Sequence, residues 1–254
     1  MTLERPSSVS AVDWGRVIER LCFLFPPVIG VGAIGVIQEA DPGVPGLAWG
    51  LFLVGTFGYT LLTIGMMLAL FVDARDVRSD SIAAASSKGT ASAEESSSSN
   101  GDSRSKNSTS TNWTPSPWLY AAFALLWAPA AGVIYLARRH RAAGTKAGWN
   151  GWWLVVALSL MTTVLGVITA VIAVVFSIPG LLLAAVALTG AVAFGTFPIA
   201  IHQDAAYVSA RDGSWQPNPG LFLGIALVSL FAAPIQPVLA GYYLFRRRRS
   251  TGTP

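Results

Sequence analysis

Five stretches of this chain carry no Asp, Glu, Lys or Arg: residues 21–38, 42–72, 107–137, 147–203 and 213–245. Runs of this kind leave few folds open, because about 20 apolar residues of helix rising 1.5 Å each cross the roughly 30 Å hydrocarbon core of a bilayer. The composition agrees: 12% of the residues are charged and 53% are hydrophobic, against about 25% charged in ordinary soluble domains. The fourth run would make a helix of roughly 85 Å, too long for one crossing. It contains Ser177, Ile178, Pro179 and Gly180, a helix stop and turn, so it divides. The chain is therefore expected to be an all-α, polytopic helical membrane protein of about six transmembrane helices, near 17–38, 47–72, 117–137, 152–177, 181–201 and 219–245.

Residues 79–112 are mostly Ser, Ala, Thr, Gly and Asn. They bury too little to repay their ordering entropy, and a disordered loop is expected there. Asn107 and Asn112 stand in Asn-x-Ser/Thr sequons, triplets that arise easily by chance in such a tract. The N-terminal segment mixes acidic and basic residues and has no small-residue cleavage site after its apolar run, so the first span reads as retained. Cys22 is the lone cysteine and can form no internal disulfide.

An internal repeat organises the chain. Residues 112–119 read NWTPSPWL and residues 214–221 read SWQPNPGL. Ser116 precedes Pro117 and Asn218 precedes Pro219, which pairs a favoured N-cap with a residue suited to the first helical position. Trp113 and Trp215 lie just outside, where indole rings favour the headgroup level. Upstream, FVDARDV (71–77) aligns with HQDAAYV (202–208); downstream, YLARRHR (135–141) aligns with YLFRRRR (243–249). Two three-helix membrane units follow, 1–146 and 147–254, with the Ser-rich tract inserted into the first.

Three crossings per unit would make the copies enter the membrane from opposite sides, as inverted repeats. With a cytoplasmic N-terminus, 12 of the 17 basic residues fall inside and Arg138, Arg139, Arg141, Lys146 and Arg211 fall outside. The positive-inside bias then favours cytoplasmic termini. The Arg138 cluster breaks the bias whenever the Arg246 cluster obeys it, so either the units are inverted or one expected span does not cross.

The pattern Asp204-Ala205, Val208, Trp215 to Pro219 and Tyr243 to Arg247 resembles small multi-pass membrane proteins of unknown function found in haloarchaea. The first copy departs from it at Ser116 and in the insertion between Asp73 and Trp113. The resemblance covers roughly 60–141 and 190–249 and implies location, not activity.

Catalytic parts are scarce. No expected span core contains Asp, Glu, Lys or Arg, whereas coupled transporters and proton relays keep such groups in the bilayer. Glu19 and Arg20 at the mouth of the first span read as interfacial anchors. His140 and His202 end the third and fifth spans; a metal or haem pair would need them facing each other inside a bundle, and solvation at the interface is expected instead. Motifs of metalloproteases, hydrolases and nucleotidases are missing. Asp73, Asp204, His202 and Arg211 are the only groups that could converge on an enzyme site. Gly46 and Gly50 form a Gly-x-x-x-Gly, and Gly30, Gly32, Gly35, Gly55, Gly58 and Gly65 give the first two spans small surfaces for close packing. Pro26, Pro27, Pro129, Pro234 and Pro237 should kink their helices, with Gln236 available to freed carbonyls.

The expectation is a non-enzymatic scaffold or interaction component of the cell membrane, with no catalytic, cofactor-binding or metal-binding residues, no cofactor and no nucleic acid. Its partners would be the lipid bilayer and another copy or membrane protein. The competing expectation is a small transporter or channel for a neutral solute at the repeat interface.

Overall fold

The computed structural model describes residues 12–39, 45–94, 113–146, 148–211, 213–232 and 234–252. Among them all regular structure is helical, as expected: α1 (Trp14–Glu39), α2 (Pro45–Glu94), α3 (Pro117–Ala143), α4 (Trp152–Val175), α5 (Pro179–Gly195), α6 (Phe197–Ser209), α7 (Pro219–Ser229) and α8 (Ile235–Thr251). Five stretches are long and apolar enough to cross a membrane: Trp14–Val36, Gly46–Ile82, Pro117–Ala143, Trp152–Val175 and Gly180–Ser209. Large apolar side chains such as Phe57, Leu61, Leu126, Val175 and Leu183 point outward from the bundle, a surface that suits lipid and not water. The chain is a multi-pass helical membrane protein.

Two expected crossings take another course. The rings of Tyr120 and Tyr135 pack with centroids 4.9 Å apart, yet fifteen residues of straight helix would separate them by about 22 Å. The chain must therefore double back within α3, and Trp127 supplies the corner with φ −157° and ψ 85°. The cause is Pro129, which has no N–H for the Leu125 carbonyl and whose ring crowds it. The last span repeats the course. Here α7 stops at Ser229, Pro234 caps α8, and the Phe222 and Tyr243 rings meet at 5.1 Å. Each is a helical hairpin whose entering limb, 117–126 in α3, is about 15 Å long, half a hydrocarbon core.

Close contacts place both ends of both hairpins with the start of α1 and the end of α6. Arg139 and Lys146 reach Asp13, Arg139 reaches Asp73, Arg247 reaches Asp204 and Asn150, and His202 reaches Pro219. Each unit thus has two membrane-length helical legs and one hairpin that returns to its starting side. The expectation of straight spans at 117–137 and 219–245, and of inverted units, is corrected: the two units run in the same sense. Pro129 and Pro234 mark chain reversals and not mild kinks, whereas α1 runs through Pro26 and Pro27 unbroken. The expected span 181–201 is also divided, at Thr196, where Pro198 opens α6.

The loop expectation fails in part. Residues 79–94 continue α2; their alanines favour helix, and extending an existing helix carries no nucleation cost. Residues 95–112, with both sequons, lie outside the described residues.

Glycines set the spacing of α1 and α2, though not the expected pair. A Cβ on Gly55 would stand 2.5 Å from Gly32 Cα, and one on Gly35 would stand 2.6 Å from the Phe52 nitrogen, while Gly46 and Gly50 have nothing within 4 Å. Gly55→Ala is expected to cost about 1–3 kcal/mol through overpacking. Gly50→Ala should stay within about 0.5 kcal/mol of wild type. Reversible unfolding in mixed detergent micelles measures both.

Candidate functional site

The octets now have a structural explanation. Burial alternates along 113–117 and 215–219, so that Pro115, Pro117, Pro217 and Pro219 are buried while the residues between them face out or lie part-buried. Asn218 caps α7, its Oδ1 accepting from the Leu221 N–H at 3.1 Å. Ser116 has the extended backbone of a cap but makes no capping bond. Trp113 and Trp215 are not free interfacial rings: they lean on Tyr135 and Tyr243 at 5.3 and 5.4 Å, tilted 55° and 56°.

Beneath each Trp lies the same clamp. Tyr135 donates to Asp73 Oδ2 at 2.6 Å and Arg139 donates to the same oxygen at 3.0 Å. Tyr243 and Arg247 do the same to Asp204 Oδ2 at 2.7 and 2.8 Å. Each arginine also reaches the start of its unit's first helix, Arg139 to Asp13 at 3.9 Å and Arg247 to Asn150 at 3.2 Å. One guanidinium thus ties three chain segments together. The second clamp is the more enclosed, with Arg247 2% exposed and Trp153 under its guanidinium at 5.5 Å. Between the units, Asn218 donates to the Ala137 carbonyl at 2.8 Å, and Gly220 lets α7 press on the backbone at Ala137.

At this charged end a cavity of about 990 Å³ opens between the start of α1, the end of α3, the 144–151 connection and α6. Its polar wall holds Asp13, Arg16, Glu19, Arg20, Arg139 and Lys146, together with His140, His202 and Gln203. Gln203 donates to Glu19 Oε1, and His202 Nε2 stands 3.3 Å from the same oxygen. His140 Nδ1 pairs with Thr145 Oγ1 at 2.8 Å. Phe23, Leu136, Trp152 and Ile199 supply apolar wall.

Asp13 gathers Arg16, Lys146 and Arg139 at 3.6, 3.3 and 3.9 Å. Partial burial would raise its pKa, but the Lys146 and Arg16 N–H hydrogen bonds and the Lys146 and Arg139 charges outweigh that and hold it below its ordinary value of 3.8. Its folded pKa is depressed, so its stabilisation is complete above about 3.8 and is lost as pH falls through the folded value. Asp13→Asn should accordingly lower the unfolding midpoint at pH 7, by a margin that shrinks as pH falls below 3.8.

Of the four residues named for an enzyme site, the structure does not bring the set together. Asp73 and Asp204 are engaged by Tyr and Arg, and Arg211 stacks on Tyr207 at 4.3 Å. His202 alone lines the cavity. Glu19 is more than an anchor, since it joins α1 to His202 and Gln203 on α6. Gln236 serves Ser159, donating to its hydroxyl at 3.1 Å. No cluster of three or more His, Cys, Asp or Glu that could hold a metal occurs among the described residues.

No protein family, curated protein or solved structure matches this chain. Fold and site together define its class: a multi-pass helical membrane protein with paired hairpins and one polar, cation-rich end.

Proposed function

We propose that this protein is a non-enzymatic scaffold or interaction component of the cell membrane that presents its cation-rich end to the cytoplasm, where both termini lie. The observation carrying this reading is how its polar groups are used. Buried Asp73, Asp204, Arg247 and Gln236 all bond to other helices or chain segments of the protein, which fixes the bundle and leaves none of the four lining a solute path. Cytoplasmic placement of that end rests on its basic residues, since Arg16, Arg20, Arg75, Arg78, the Arg138 and Arg246 clusters, Lys146 and Arg211 all belong to it, in keeping with the positive-inside bias. Membership of the haloarchaeal group that the motif resembles belongs to the same proposal.

Proteoliposomes test it. Uptake of a broad panel of neutral solutes should equal that of empty liposomes. Solute-dependent uptake abolished by Gln236→Leu would replace the scaffold with the transporter reading.

A further inference from the structure

The cavity wall carries four cations, Arg16, Arg20, Arg139 and Lys146, against two carboxylates, Asp13 and Glu19. Asp13 is shared by three of the cations. Arg20 has no acidic partner among the described residues, and its side chain is exposed at the cavity mouth. The wall is therefore complementary to an anion.

A second feature narrows the ligand. His202 is 1% exposed, and its Nδ1 lies 3.0 Å from the Pro219 carbonyl. A carbonyl only accepts, so Nδ1 carries the proton and donates. Its Nε2 is enclosed and stands 3.3 Å from Glu19 Oε1, so of this pair the Glu19 carboxylate, whose side chain is 17% exposed, is the acceptor that the cavity reaches. A carboxylate on a cavity wall accepts from a hydroxyl.

We infer that the cavity binds a phosphate ester of a polyol, its phosphate held by Arg20 and the neighbouring cations and a hydroxyl donating to Glu19. Phosphate suits this wall because guanidinium groups bind its oxygens through charge-assisted, often bidentate hydrogen bonds. The apolar wall of Phe23, Leu136, Trp152 and Ile199 accommodates the carbon skeleton beyond. The same chemistry is carried by a free polyol phosphate and by the headgroup of a lipid such as phosphatidylglycerol.

The full chain in phosphatidylcholine nanodiscs separates these sources. In one arm glycerol 3-phosphate is titrated by calorimetry; in the other, phosphatidylglycerol retained per protein is counted by native mass spectrometry. One saturable equivalent is expected in at least one arm. Binding in the first assigns a soluble ligand, and binding in the second alone assigns a lipid headgroup. Arg20→Gln and Lys146→Gln, both at exposed positions, should each weaken binding about tenfold, with the unfolding midpoint as a check on folding. Arg248→Gln, on the exposed end of α8, should leave it unchanged. The inference is overturned by absence of saturable binding in both arms, or by binding that resists both cavity variants and falls with Arg248→Gln. Neither result bears on solute flux, so the scaffold reading stands or falls separately.

Discussion

Single cysteines replacing Arg141 and Arg249 are expected to react with a membrane-impermeant maleimide from the same side of the membrane, and a cysteine replacing Gly46 from the other. The expectation follows from the hairpins: Tyr120 against Tyr135, and Phe222 against Tyr243, cannot meet unless each chain returns to the side it left. Native Cys22 is buried and fully shielded, so background should be low. A cysteine at Trp127, the tip of the first hairpin, lies about 15 Å from the start of its limb, half a hydrocarbon core deep, and should react from neither side. Arg141 and Arg249 labelled from opposite sides would restore two full crossings and refute the shared sense of the units. The effect is all or none.

The second large effect concerns the clamps, whose equal geometry conceals unequal cost. Asp204→Ala removes the carboxylate to which a 2% exposed Arg247 and Tyr243 both donate. Breaking a buried ion pair by removing one partner costs about 3–5 kcal/mol. Asp73→Ala removes the matching carboxylate, but the Arg139 side chain is 26% exposed and still lies 3.9 Å from Asp13. Water and a second carboxylate soften that loss to about 1–2 kcal/mol. Unfolding of both variants in mixed micelles at pH 7 gives the difference directly. Equal losses would mean that the burial of Arg247 does not govern its clamp.

Much of this was legible in the residues. Charge-free runs gave the helical class, and Asn218-Pro219 gave a helix start that the structure reproduces with its capping bond. The duplicated Asp, Trp and Tyr-Leu-x-Arg-Arg were visible as a pattern, and the structure shows them to be one clamp written twice. What stayed hidden was the turn at Trp127. Apolar periodicity measures how much of a segment is greasy and not which way it travels, so a folded-back helix of 27 residues reads like a crossing. A signal was nevertheless present: five basic residues on the wrong side under the straight-span reading pointed to a span that does not cross. The cavity was less accessible still, because Glu19 and Gln203 meet only after four intervening helices have been placed.

The hairpins also bear on how such a chain could arise. A unit that returns its end to the compartment where it began can be copied end to end, each copy inserting like the last, with no rewriting of its arginines. Tandem duplication of such a unit needs no ancestor of mixed orientation.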